Sequence, residues 1–526
     1  MSEAGARRVS PDVAVLVALV AASVVPLFAG RYLPFYDYPA HLTVPAALRW
    51  RSVPDSHVAA WWSFAPALVP NSIHYLFTWA GSYVVSMETA SRIFVALFAV
   101  AALPVSMVYA LRTFGRDWRL ATLAVPFAWN RGLWYGFIGH CAALSISMVM
   151  IAIVDRELRA PSRKRAVALG ALAALLPFVH FFIMLVTVAL GAVVLLLRVR
   201  AVPLKRSLRV AALLAPGPLA MGPWVWGRLH AGAGAAAAAE VPQGTTAPPL
   251  RELVRVLHHW FMEGYTGPVD DIVAVVLLST LAALFAFAAP SREVDGAPGV
   301  DAGARRIPLF LGGALALGYF LLPFEIHRPF FWWALNVRLI PLAFLWLIVA
   351  APPGPLGRLG RGLLIPLAAT SLAFFAFIAW DIGATFNGPW GMGGFDGLVA
   401  RIPRGARVLG LYTDYYRPPR YTHYPFYYAS SYAFVNGGGL VAPTEVIHYS
   451  WTNPIEPPAA PFAGDAARFD FDAHAPGFSH FLVRTCAGAR CVSDPLEGRG
   501  EVMRVSEAGS WRLYACVRAP CLPARP

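Results

Sequence analysis

The chain has 526 residues, of which 58% are hydrophobic and 14% charged, with a mean hydropathy of +0.56. A soluble chain of this length needs roughly a quarter of its residues charged to cover its surface, so a soluble globular protein is excluded. The formal net charge is +14, but Lys and Arg sit mainly in short loops between apolar blocks; that is the positive-inside pattern of membrane topology, and no nucleic-acid partner is expected.

Apolar blocks of about 18 residues or more cross the hydrocarbon core, and they must be helical because lipid offers the backbone no hydrogen-bond partner. The first block runs from about Val13 to Gly30, behind Arg7 and Arg8. It lacks a small-x-small cleavage site and many blocks follow, so it is read as a spanning helix with a cytoplasmic N-terminus. Residues 31–87, rich in Trp, Tyr, Pro and His, form a large first outer loop. Short interfacial helices are predicted there, with Trp61 and Trp62 at headgroup level.

Further blocks lie at about 89–111, 120–129 and 135–154, with an interfacial turn expected at Asn130 and Arg131. Residues 166–197 are too long for one span and are predicted to be two short helices meeting near Pro177 and His180. The next block is 210–226, followed by a second outer loop, 230–271, which opens with an Ala/Gly-rich linker and carries His258, His259 and Glu263. Blocks at about 272–289, 308–322, 339–351 and 363–380 complete the series. The basic loops 112–119, 155–165 and 198–209 are expected in the cytoplasm. About eleven crossings then place the C-terminus outside.

The fold class predicted is an α-helical polytopic membrane protein, residues 1–394, followed by a small soluble α/β domain outside the cytoplasm, residues 395–526. Strands are predicted at 407–412, 480–484, 502–505 and 511–516. Cys141 falls in an apolar block and reads as a packing residue. Cys486, Cys491, Cys516 and Cys521 form an even set in the soluble segment, which implies two disulfides in an oxidising compartment. Bridges between neighbours are the simplest pairing, and crossed pairings stay open. The compartment agrees with the topology, and a multi-pass protein of a bacterial inner membrane is expected.

The strongest local signal for chemistry is Pro34-Phe35-Tyr36-Asp37-Tyr38-Pro39-Ala40-His41, just outside the first span. An acid at the mouth of a bundle is costly without a task or a partner. Asp37 either caps a short helix beginning near Pro39, with His41 within one turn, or works as an acid or base. Arg338 opens a span at the outer face, where it either snorkels to headgroups or meets a lipid phosphate. His180 is a packing residue or a ligand at a helix break. The aromatic run 412–428 is a core or a surface on which sugar rings stack. No phosphate-cradling Gly-rich loop, HExxH, CxxC or Gly-x-Ser-x-Gly pattern is present, which argues against an ATP motor, a zinc site and a serine hydrolase.

The long first outer loop opening on Tyr36-Asp37-Tyr38-Pro39-Ala40-His41, the number of spans and the C-terminal outer domain together resemble the GT-C superfamily. These are membrane glycosyltransferases that use polyprenyl-phosphate-linked sugars. The resemblance implies that Asp37 is the catalytic base or orients the acceptor, with His41 beside it. It implies a lipid-linked sugar donor, contact with membrane lipids, and a glycan, lipid or protein acceptor. The departing phosphate would be held by Arg338 first, with Arg328, His327 and His258 as alternatives and with Glu263 and His180 in the substrate-binding set. Many members carry a second acid in a later outer loop; Glu263, Asp270 and Asp271 are the candidates here, none in a decisive motif, so a divalent cation stays an open expectation. The alternatives are a transporter or flippase of lipid-linked saccharides and a non-enzymatic assembly protein. No internal repeat and few charges inside the spans favour the enzyme.

Overall fold

The blocks read from the sequence become helices, and their ends follow local rules. Ser10 accepts a hydrogen bond from the Val13 amide and Pro11 supplies the first turn of helix Pro11–Val24, which tightens at Pro26 into a 3-10 turn. The computed structural model describes residues 10–64, 69–235, 245–287, 302–327, 332–414, 420–442, 452–454, 464–486 and 491–521. Among these, six helices are long and apolar enough to cross a membrane: Pro11–Phe28, Met87–Thr113, Ile138–Arg159, Phe181–Arg198, Val269–Phe287 and Arg358–Phe386. Leu204–Leu214 and Pro216–Gly227 are an apolar helix pair bent by 46°, long enough together for one further span. Arg306–Leu321 and Val337–Ala350 are shorter apolar helices.

The predicted break near Pro177 falls at His180, whose extended backbone separates helices Arg163–Val179 and Phe181–Arg198. The block expected over 120–129 is a 3-10 turn, Trp118–Leu123, and a four-residue helix, Ala124–Phe127. Ten residues in these forms reach about 15–20 Å, roughly half of a crossing. On the basic side of the bundle the helices are tied by a buried carboxylate. Asp155 lies 2.8 Å from both Arg159 and Arg198.

Loop 31–87 folds into helices Tyr38–Trp50, Val58–Trp61 and Ile73–Gly81 and a strand, Trp62–Phe64, that pairs antiparallel with Thr452–Pro454. Trp62 is therefore buried in protein and not at the headgroups. Its indole N–H donates to the Gly439 carbonyl at 3.1 Å and its ring packs on Phe434. Trp61 lies under the Arg407 guanidinium. The C-terminal domain covers this part of the loop, so the rings meet protein in place of lipid.

The C-terminal sheet has five strands in the order Leu440–Ala442, Arg407–Tyr412, His480–Arg484, Trp511–Cys516, Val502–Ala508. The first three run parallel and the last two antiparallel. Alternation with period two divides its side chains. Val408, Leu482 and Leu513 join the core that continues into loop 31–87 and the bundle, whereas Leu409, Leu411, Phe481 and Tyr514 form a separate core on the other face. The disulfides join neighbours, Cys486–Cys491 and Cys516–Cys521, which settles the pairing the sequence left open, and Cys141 is a buried free thiol.

Candidate functional site

The segment Pro34–Asp37 lies against residues 134–135 and turns at Asp37, whose backbone is already helical. The Tyr36 amide donates to the Trp134 carbonyl at 3.0 Å and the Asp37 amide to the Tyr135 carbonyl at 3.1 Å. Phe35 anchors it as a buried wedge against Tyr38, Trp129 and Trp134. Behind Asp37 lies Gly136, with φ +84°; a Cβ there would sit 3.1 Å from the Asp37 Cβ, so only glycine lets the two segments approach this closely. Helix Tyr38–Trp50 begins at once, and Asp37 holds its N-cap position, yet its side chain makes no capping bond. Pro39 removes one N–H from the first turn, and the His41 amide is taken by the Asp37 backbone carbonyl at 2.9 Å. The carboxylate is not used as a cap; Asp37 is 8% exposed.

One turn on, His41 Nδ1 lies 2.8 Å from the Tyr75 hydroxyl, and His74 Nε2 lies 2.8 Å from the Ser91 hydroxyl. Burial pushes His41 down to about 4, against a backbone hydrogen bond to Gly136 and with the Arg338 guanidinium adding to the fall. His41 is therefore neutral at pH 7, and it lies within the field of Arg338.

Arg338 sits in the 3-10 turn Val337–Leu339, directly before helix Ile340–Ala350. Its guanidinium stacks 4.3 Å from the Phe137 ring centroid, and Nη1 lies 3.1 Å from His180 Nε2. His180 Nδ1 already accepts the Ile183 amide, so in the neutral imidazole the proton is on Nε2. Arg338 and His180 thus face one another as two donors, an arrangement that an oxyanion beside them satisfies by accepting from both. His140, which the sequence reading passed over, completes the cluster: its ring is 5.3 Å from that of His180, and its buried Nδ1 has no hydrogen-bond partner. Of the residues singled out in the sequence, the structure gathers Asp37, His41, His180 and Arg338 in this region.

The others lie apart. His258, His259 and Glu263 gather at the end of helix Leu250–Phe261, with a hydrogen bond from His259 Nδ1 to Glu263. His258, Glu263, Asp270 and Asp271 are among the residues lining a mostly apolar cavity of about 670 Å³, and none of Asp37, His41, His180 and Arg338 lines it. Asp270 Oδ2 accepts the Gly264 and Tyr265 amides and so holds the preceding turn. His327 Nε2 pairs with Glu325 at 3.3 Å, and Arg328 lies outside the described residues. Asn130 caps a helical turn through Gly132, and Arg131 is buried, donating to the Glu263 carbonyl at 2.6 Å and stacking on Tyr135. In the C-terminal domain, the described residues of the aromatic run pack mostly inward, and its His423, buried and held down at about 3 chiefly by desolvation, donates to the Pro34 carbonyl.

The fold is that of a polytopic helical membrane protein whose C-terminal sheet domain closes over loop 31–87. Among solved structures the chain is similar to ArnT from Cupriavidus metallidurans. Against its apo state the TM-score is 0.53 at 13% identity, covering 98% of this chain and 100% of that one. Against its structure bound to undecaprenyl phosphate the TM-score is 0.51 at 14% identity, covering 97% and 99%. No protein-family model matches, and no curated protein matches. At this identity the likeness is one of fold, and it extends along nearly the full chain, as the sequence resemblance implied.

Proposed function

We propose that the protein is a membrane glycosyltransferase that moves a sugar from a polyprenyl-phosphate carrier to a hydroxyl acceptor on a lipid, glycan or protein. The observation that carries this reading is a buried residue that does not cap its own helix, Asp37, packed on Gly136, with the next residue, Phe137, stacked under Arg338 of the donor cluster Arg338, His180 and His140. The ArnT fold supports it, since that protein was solved with undecaprenyl phosphate bound. In the reaction the acceptor oxygen attacks the anomeric carbon while Asp37 takes the hydroxyl proton. The bond from the anomeric carbon to the carrier phosphate breaks, and the phosphate leaves with the electron pair. Arg338, His180 and His140 hold that charge as it grows. His41, neutral and bonded to Tyr75, braces the turn that presents Asp37.

The orientation proposed puts the N-terminus in the bacterial cytoplasm and residues 395–526 in the periplasm. The two disulfides support it, and so do the basic residues clustered around Asp155 and Glu157 at the opposite end of the bundle. Among the described residues, His258, His259 and Glu263 are the group able to hold a metal, with ligand atoms within 4.8 Å of one another. Two imidazoles and a carboxylate fit a divalent ion, which would supply Lewis acidity there, and no step above is routed through it. The test is Asp37→Asn in purified protein given a polyprenyl-phosphate-linked sugar. The account expects transfer to fall by about a thousandfold or more while folding and lipid binding persist. Wild-type turnover in that variant removes the proposed base.

A further inference from the structure

We infer that residues Arg420–His423 of the outer domain are a positioning clamp for the site, with His423 setting the register of the segment that carries Asp37; this rests on the glycosyltransferase reading above. Four consecutive residues reach four separate parts of the chain. His423 Nε2 donates to the Pro34 carbonyl at 2.6 Å, three residues before Asp37. A carbonyl only accepts, so the ring is fixed as the Nε2–H tautomer. The Thr422 amide donates to the Gly264 carbonyl at 3.1 Å, and its hydroxyl meets Arg131, whose Nη1 also donates to the Glu263 carbonyl. The Tyr421 hydroxyl donates to Asp381 Oδ2 at 2.6 Å, and Arg420 Nε lies 2.9 Å from Asp381 Oδ1 at the end of a membrane helix. The Arg420 carbonyl accepts the Thr266 amide at 3.0 Å.

The geometry argues for positioning over packing alone. Pro34 and Asp37 sit on one short segment that enters helix Tyr38–Trp50, bonded on one side to the Trp134 and Tyr135 carbonyls through the amides of Tyr36 and Asp37. His423 supplies the bond on the Pro34 side, with its ring among Trp134, Tyr135 and Tyr421. Arg131, held by Thr422, stacks on the same Tyr135 whose carbonyl receives the Asp37 amide. Removing the donor frees the Pro34 carbonyl, and a shift of about 1 Å at a reacting group can cost a hundredfold in rate.

The experiment compares full-length wild type with His423→Phe, which keeps ring volume without the donor, and His423→Gln, which restores an N–H. Two readouts are taken: kcat and KM for sugar transfer, and hydrogen exchange of the Tyr36 and Asp37 amides. His423→Phe is expected to lower kcat ten- to hundredfold with KM nearly unchanged and to speed exchange at both amides, and His423→Gln to recover most of both. Wild-type kcat per folded molecule with wild-type exchange in His423→Phe overturns the clamp. If no transfer is found for the wild type, the functional reading fails, whereas the exchange comparison still decides the clamp. Should His423→Phe fail to fold, Thr422→Val reads the same arms, with faster exchange expected at the Tyr135 and Gly136 amides and unchanged exchange overturning the inference.

Discussion

Asp37 is held by residues whose types leave little choice, and Gly136 is the most exacting of them. It has φ +84°, and an added Cβ would lie 3.0 Å from the Asp37 nitrogen. Gly136→Ala is expected to cost about 1–3 kcal/mol of stability and to reduce transfer beyond the loss of folded protein. Thermal unfolding and turnover per folded molecule check this, and lowered stability with unchanged turnover per folded molecule would show that the glycine serves folding alone. Asp37, His180 and Arg338 were legible in the sequence because each is a polar residue set in an apolar or aromatic run. His140 has the same signature, at the start of the helix Ile138–Arg159, and was passed over because nothing in the sequence shows that it faces His180. Thr422 and His423 were illegible for another reason. Their partners Arg131 and Pro34 are 291 and 389 residues away, and no local pattern encodes such a contact.

Helices were legible from the length of their apolar runs, since a run of about 20 residues at 1.5 Å per residue matches the hydrocarbon core. The same rule failed over 120–129, where the run is apolar because the protein buries it, not because lipid surrounds it: Leu120 through Trp129 are all buried. It failed likewise for Trp62, an aromatic residue read as an interface anchor that a strand pairing with Thr452–Pro454 turns inward. The helices are joined on the basic side by Asp155, which is fully buried between Arg159 and Arg198. Arg198→Ala leaves that carboxylate with half its charge partners in a low-dielectric setting, and a loss of about 3 kcal/mol or more is expected. Chemical denaturation of the purified variant measures it. A change below about 0.5 kcal/mol, the range of ordinary surface substitutions, would mean that the pair is ornamental.

The bundle, loop 31–87 and the outer domain share one hydrophobic core, which runs from Leu19 through Phe35, Trp134 and Tyr432 to Trp511. The soluble segment was recognisable from its strands and cysteines, but its place over the Asp37 segment was not, because a composition change marks where a domain starts and not what it touches. That placement sets His423, Tyr427 and Tyr428 of the C-terminal domain against the segment that carries Asp37. The central claim is that a polyprenyl phosphate puts its phosphate beside Arg338, His180 and His140, with Asp37 facing the bond that breaks. A structure of the full-length protein with undecaprenyl phosphate tests this most directly. The account predicts phosphate oxygens within hydrogen-bond distance, about 2.7–3.2 Å, of Arg338 and His180. A phosphate seated instead at His258, His259 and Glu263, or at the basic end of the bundle near Arg198, would contradict it.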